Sequence, residues 1–275
     1  MNSSYFKDKV MIITGASSGI GLASAKLFAS LGARLALAAR SLDKLETLAR
    51  EIFPGQEDRV LCVKTDVSIE ADCRNLIERT AGKFGRIDIL VNNAGISMRA
   101  LFRDLDLSVI RSLMDVNFWG TVYCTKYALP YLLQSKGSVV GVISIAGFSG
   151  LPGRTGYSAS KYAVRGFLDT LRIEHLYDGL HVMVFAPGFT ASNVRNAALT
   201  ADGSHQGETP RDEGKMMTAE RCAGYLAEGL RKRRREMVLT PIGKLTVLMH
   251  NIFPRLTDRL EFSYMAKEPG SPFHK

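Results

Sequence analysis

The sequence predicts an α/β fold: a doubly wound parallel sheet of about seven strands, with helices on both faces to make three layers. Three observations carry this expectation. Short apolar runs alternate with helix-period segments from residue 9 to about residue 239, as in a parallel sheet whose crossovers are helices. The glycine-rich string from Gly15 to Gly21 falls between the first apolar run and the first helical segment, where such a sheet turns tightly from strand to helix. No internal repeat or linker breaks the alternation, so one domain is expected over residues 1–268, with a substrate-lid insert at about 189–216 and a disordered tail at 269–275.

Each element follows from its residues. Residues 9–14 (KVMIIT) are a continuous apolar run, as in a strand buried on both faces. Helical spacing follows at 18–31, a second strand at 34–39, and a helix at 43–53 with Asp43 near its start, where a carboxylate meets the positive end of the helix dipole. A third strand at 59–65 leads to a helix at 69–84, and a short fourth strand occupies 88–91. A long helical stretch runs from 107 to about 134, with Pro130 near its last turns. The fifth strand is expected at 138–144, a helix at 157–177, the sixth strand at 180–186, a helix at 218–232 and a seventh strand at 236–239. The stretch 199–214, rich in Gly, Thr, Ser and Asp, reads as a mobile loop inside the domain.

Hydrophobic residues make up 46% of the chain and charged residues 23%, enough apolar material for a full core. The formal net charge is +9, and Arg231, Lys232, Arg233, Arg234 and Arg235 concentrate much of the excess. A basic surface attracts phosphate-bearing partners. No nucleic-acid reading motif accompanies it, so no nucleic acid is expected. Cys62, Cys73, Cys124 and Cys222 form no CxxC pair and have no His at zinc-ligand spacing. No metal site is expected, and the thiols read as buried small residues in a reducing compartment. Residues 1–9 are polar and no 18-residue apolar window occurs. Neither a leader nor a spanning helix is expected, and the expected location is cytoplasmic, with membrane association left open.

The string Thr14-Gly15-Ala16-Ser17-Ser18-Gly19-Ile20-Gly21 joins strand to helix. Glycines there let the backbone approach a pyrophosphate, whose charge then meets the helix N-terminus. This predicts a Rossmann-type nucleotide site. The second strand ends Ala38-Ala39-Arg40-Ser41. A site for NAD usually has an acid near this point for the ribose 2′-hydroxyl, whereas a guanidinium suits a 2′-phosphate. NADP(H) is therefore expected, with Arg40 and Ser41 at the phosphate; an arginine that merely ends a strand in solvent is the plainer alternative. Tyr157 and Lys161 lie four residues apart at the start of a predicted helix, which puts both on one face. A tyrosine exchanges protons near neutral pH only if its pKa falls from about 10, and a neighbouring ammonium acts in that direction. By itself the pair reads first as two exposed helix residues.

Together these strings resemble the short-chain dehydrogenase/reductase superfamily. Its TGxxxGIG pattern is matched at every fixed position, its NNAG motif by Asn92-Asn93-Ala94-Gly95, and its YSASK variant by Tyr157-Ser158-Ala159-Ser160-Lys161. The resemblance covers nearly the whole chain. It implies a catalytic set of Asn117, Ser144, Tyr157 and Lys161, with Ser144, 13 residues before Tyr157, bonding the substrate oxygen. Asn117 would hold a water that relays protons from Lys161; a buried Asn at a helix kink is compatible with that role. Cofactor contacts are implied at Gly15, Ser17, Ser18, Gly19, Ile20 and Gly21, at Asp66 and Val67 beside adenine, and at Asn93, Ala94, Gly95 and Val116. Tyr157 and Lys161 belong to that set too, as do Pro187, Gly188 and Thr190. Two departures stand out: Ile143 occupies a position where a second Ser is common, and Thr190 arrives earlier than in PGxxxT. The implied activity is hydride transfer between NADP(H) and a carbonyl or secondary alcohol, with reduction favoured. A non-catalytic NADP(H)-binding regulator on the same fold is the alternative.

Ile96, Met98, Phe148, Leu151, Phe189 and Val194 fall in segments that cover substrate in such folds. Their apolar character suits a lipophilic substrate, or simple lid packing. Residues 95–99 and 199–204 look like the membrane-associated branch, which includes relatives of 11β-hydroxysteroid dehydrogenase and an acyl-dihydroxyacetone-phosphate reductase. Apolar and basic residues from 231 to 262 suit an anionic membrane surface, or a final helix and strand that pack against another subunit. Similar proteins form homodimers or homotetramers through the stretches corresponding to 107–134 and 157–177.

Overall fold

The computed structural model describes residues 3–190, 197–207, 214, 216–268 and 270–273. Val194 of the expected lid and residues 269, 274 and 275 of the tail lie outside them. Seven strands form one parallel sheet: β1 (Val10–Thr14), β2 (Arg34–Ala39), β3 (Val60–Lys64), β4 (Ile89–Asn92), β5 (Ser138–Val142), β6 (His181–Ala186) and β7 (Glu236–Val238). Their order is β3-β2-β1-β4-β5-β6-β7. All strand pairs are parallel, with Val10 opposite Arg34 and Met11 opposite Ile89. The order reverses between β1 and β4, which leaves a crevice beyond their C-terminal ends.

The helices cover both faces because the strands are apolar on both. One face carries α1 (Gly19–Ser30), α2 (Leu42–Ile52) and α7 (Ala219–Arg231). Phe28, Leu45 and Leu226 from these helices pack on Met11, Ile13, Leu35 and Leu37. The other face carries α3 (Glu70–Phe84), α5 (Gly120–Gln134) and α6 (Thr155–Glu174). There Leu76, Ala128 and Leu168 meet Ile12, Ala36 and Leu90. Successive β1 residues thus serve opposite layers, as the period of two requires.

The long stretch expected as a single helix is divided. It comprises α4 (Leu107–Leu113), a π-helical turn (Met114–Trp119) and α5, with Pro130 inside α5. The helix expected at 218–232 and the strand expected at 236–239 are present as α7 and β7, and two further helices, α8 (Pro241–Ile252) and α9 (Pro254–Met265), follow. The fifth strand stops at Val142, and α6 begins at Thr155 and ends at Glu174, offset from the expected bounds. Residues 199–207, expected as a loose loop, are hydrogen-bonded to the segment after β4: Leu199 N donates to Ser97 O at 2.9 Å and Arg99 N to Leu199 O at 2.8 Å. Side-chain and backbone bonds replace the strand ladder that Gly and Asp disfavour. Among the described residues, no helix is long and apolar enough to cross a membrane.

Candidate active site

One cavity of about 1330 Å³ opens at the β1/β4 crevice. Sites for one small molecule usually measure about 300–1,000 Å³, so this cavity has room for a dinucleotide and a second molecule. Gly15, Ser17, Ser18, Gly19 and Ile20 form one end of its wall. Gly15 and Gly19 have φ of 66° and 52°, in the left-handed region that glycine tolerates best. Ser18 is the N-cap of α1 but makes no side-chain cap bond, so the first amides of that helix remain available to an anion. Gly21 does not line the cavity. A Cβ there would stand 2.2 Å from Gly15 O and 2.6 Å from Asn93 Nδ2; its role is to let α1 pack against the loop.

Asn93 braces this loop from β4. Its Nδ2 donates to Thr14 O at 2.8 Å, while Asn93 N and Ala94 N both donate to Thr14 Oγ1 at 3.0 Å. Thr14, the first residue of the glycine string, is therefore the tie between the two central strands. Asn93, Ala94 and Gly95 line the cavity, as do Asp66, Val67 and Val116. Arg40 and Ser41 reach its far end, where Lys44 joins them. Lys44 was missed in the sequence because α2 could present it in any direction. Pro187, Gly188 and Thr190 close the opposite side. Thr190 Oγ1 donates to Gly188 O at 3.2 Å.

Ser144, Tyr157 and Lys161 meet on one wall. Ser144 follows β5 and caps the short turn Ile145–Gly147, its Oγ accepting from Ala146 N at 3.2 Å. Its hydroxyl is near enough to the Tyr157 phenol to favour the phenolate. Lys161 Nζ donates to Val142 O at 2.9 Å and lies 5.7 Å from the Tyr157 ring centroid. Asn117 is buried in the π-helical turn and does not line the cavity. Its Oδ1 accepts from Ile96 N at 2.8 Å, and its Nδ2 donates to Ile96 O at 3.0 Å and Ser160 Oγ at 2.9 Å. Ser160 Oγ in turn donates to Tyr157 O at 2.8 Å. Both amide hydrogens of Asn117 are thereby spent on joining the loop after β4 to the first turn of α6.

Burial, the largest influence, raises the Tyr157 phenol above its ordinary value, against opposing effects of the Ser144 hydroxyl and the Arg154 charge. Burial also lowers the Lys161 amine to about 8. The expected acidification of Tyr157 by Lys161 is thus not what the protein groups alone produce. Desolvation of a phenolate outweighs the nearby charges, and desolvation penalises the ammonium as well.

The second half of the cavity is apolar and was only partly legible. Ile96, Leu151 and Phe189 line it, but Met98 and Phe148 are buried in core clusters instead. Its remaining walls come from Met216, Met217 and the inner faces of α8 and α9, including Leu245, Met249, Leu260 and Tyr264. Arg154, Glu261 and Lys267 add the charges. α8 packs closely on the turn after Ser144: a Cβ on Gly243 would lie 2.4 Å from Ile145 Cδ1.

This arrangement has known counterparts. The family model for short chain dehydrogenases matches residues 9–202. A dehydrogenase/reductase SDR family protein 7-like from Dictyostelium discoideum is 36% identical over 267 residues, covering 95% of this chain and 83% of that protein. An 11-beta-hydroxysteroid dehydrogenase-like 4A from Arabidopsis thaliana is 39% identical over 223 residues, covering 81% and 73%. Among solved structures, an alcohol dehydrogenase from Thermococcus sibiricus complexed with 5-hydroxy-NADP superposes with a TM-score of 0.75 at 26% identity, over 85% of this chain and 96% of that one. A short chain dehydrogenase/reductase from Burkholderia phymatum in complex with NAD shares the fold, with a TM-score of 0.81 at 24% identity over 91% and 95%.

Proposed function

The chain belongs to the short-chain dehydrogenase family, and we propose that it is an NADP(H)-dependent oxidoreductase that reduces a lipophilic ketone or aldehyde, or oxidises the corresponding alcohol. The observation that carries this is that Ser144, Tyr157 and Lys161 face the same cavity as the glycine loop. The cavity fits a dinucleotide. The open first turn of α1 suits its pyrophosphate, Asp66 and Val67 flank the adenine position, and Arg40 with Lys44 suits a 2′-phosphate. Asn93, Ala94, Gly95, Val116, Pro187, Gly188 and Thr190 would hold the nicotinamide half.

When bound, the nicotinamide supplies or accepts the hydride. The protein does the rest. The hydroxyls of Ser144 and Tyr157 polarise the carbonyl oxygen, and Tyr157 gives its proton to the developing alkoxide. A phenol raised by burial holds that proton until negative charge develops. Lys161, near 8, can return it. Asn117 keeps the loop after β4 and the first turn of α6 in register through Ile96 and Ser160. The apolar half of the cavity excludes water and fits a lipophilic substrate.

Tyr157→Phe tests the assignment. NADPH binding should change less than about twofold, while turnover of a panel of ketones, aldehydes and secondary alcohols should fall by about 10²-fold or more. Near-normal turnover in the variant would refute the role of Tyr157. NADPH binding by the unmodified protein with no turnover of any carbonyl would favour a regulator instead.

A second reading concerns the outer face of α8 and α9. Leu248, Ile252, Phe253 and Leu256 are exposed there among Lys244, Arg255 and Arg259. This supports peripheral docking on an anionic membrane.

A further inference from the structure

We propose that Arg154, held by Glu268 of the C-terminal segment, is a positioning residue that sets how readily Tyr157 releases its proton. The inference rests on Tyr157 as the acid–base group. It begins with geometry. Arg154 is the N-cap residue of α6, one helical turn before Tyr157, and lines the same cavity. Its carbonyl accepts from Ser158 N at 2.8 Å, and its Nη1 donates to Met98 O at 2.9 Å. Glu268 Oε2 lies 3.9 Å from Arg154 Nη2 and 3.7 Å from Arg99 Nη2. The side chains of Arg99, Arg154 and Glu268 are 12%, 8% and 6% exposed, so water screens this cluster weakly.

The segment after α9 is folded back to deliver Glu268. Phe273 packs edge-on against Phe262 of α9 at 5.3 Å between ring centroids. Its ring also closes on the loop leading into α6, where a Cβ on Gly153 would lie 3.4 Å from Phe273. The C-terminal segment thus touches the loop that carries Arg154, as well as forming the cavity wall through Met265 and Lys267.

The charged groups around Tyr157 divide by type. Lys161, on its own helix, is bonded to Val142 O and lowered by burial to about 8, so its charge fades in the alkaline range. Arg154 stays charged at any working pH, and its charge opposes the effect of burial on the phenol. Glu268 offsets part of that charge, and Arg99 shares Glu268. Glu261 and Lys267 line the cavity from α9 and beyond it. The lasting charge bias on Tyr157 therefore comes from the N-cap residue of α6, which the segment after α9 holds.

The experiment follows Tyr157 itself. Full-length protein labelled with ring-¹³C tyrosine is titrated by NMR, with and without saturating NADP⁺, and Tyr157→Phe identifies the resonance. Arg154→Met should raise the Tyr157 midpoint by at least about 0.5 pH unit, roughly threefold in proton affinity. Arg154→Lys should restore at least half of that shift. Glu268→Gln, which keeps the shape, should move the midpoint the other way. An unmoved midpoint in Arg154→Met, or an Arg154→Lys midpoint displaced as far, would overturn the role of Arg154; a midpoint unmoved or raised in Glu268→Gln would overturn that of Glu268. If Arg154→Met loses its far-ultraviolet circular dichroism, Glu268→Gln decides alone. The titration needs no turnover, so its failure is separable from failure of the proposed activity.

Discussion

Arg40 directly follows β2 at the wall of the cavity, and Lys44 lies beside it in the first turn of α2. Two cations at this edge would hold a 2′-phosphate in the proposed NADP(H) complex, where a carboxylate would repel it. Charge-assisted bonds of this kind contribute about 1.5–3 kcal/mol. Arg40→Asp should therefore raise the Kd for NADPH by roughly 10- to 100-fold and leave that for NADH within about threefold, read by fluorescence titration. Equal losses for both cofactors would remove Arg40 from the phosphate site. Arg40 was legible in the sequence because a strand end has one position and one direction. So were the glycines, whose spacing states a local backbone demand. Lys44 and Arg154 were not, since helix registers and loop paths decide where long side chains arrive. The acidity of Tyr157 was misjudged for a related reason: the Tyr–Lys spacing shows a neighbouring charge, while burial, the larger influence, depends on the whole wall.

Periodicity likewise located every strand but not how the longest helix is built. The π-helical turn Met114–Trp119 inserts an extra residue into the ladder and carries Asn117 inward to Ile96 and Ser160. Nothing in an apolar repeat marks such a turn. β6 offers a test of how an element is anchored. His181, its first residue, is buried, with Nδ1 3.0 Å from Ser138 Oγ and Nε2 2.9 Å from Arg234 O. Burial lowers its pKa to about 4, against a raising effect of the Arg234 carbonyl. In the unfolded chain a histidine titrates near 6.5. Between those values the unfolded state binds the proton and the folded state refuses it, so stability is full above about 6.5 and falls as pH drops toward 4. The loss can reach about 3 kcal/mol. Urea midpoints from pH 7 to 4.5 should fall less steeply in His181→Gln than in the unmodified protein; parallel slopes would show that His181 does not carry the acid sensitivity.

The sheet, its two helical layers and the cavity account for most of the chain, and α8 and α9 give that assembly its asymmetry. Their inner faces complete the apolar half of the cavity through Leu245, Met249 and Leu260. Their outer faces leave Leu248, Ile252 and Leu256 54%, 56% and 48% exposed, a run of apolar side chains that a soluble monomer rarely presents together. The amphipathic pattern of this region was visible in the sequence, but not which faces would be covered, because that depends on where the cavity opens. If the outer face docks on an anionic bilayer, the helices that wall the cavity rest on the lipid that would hold a lipophilic substrate. Each of these aliphatic chains then contributes on the order of 1 kcal/mol of transfer free energy. Replacing Leu248, Ile252 and Leu256 together by Ser should reduce flotation with phosphatidylserine-containing vesicles at least tenfold. Turnover of a water-soluble carbonyl should be unchanged, since none of the three lines the cavity. Raising the salt concentration should weaken the basic contribution of Lys244, Arg255 and Arg259 without removing the apolar one. Equal flotation of both proteins would assign this face to a protein partner or a second subunit.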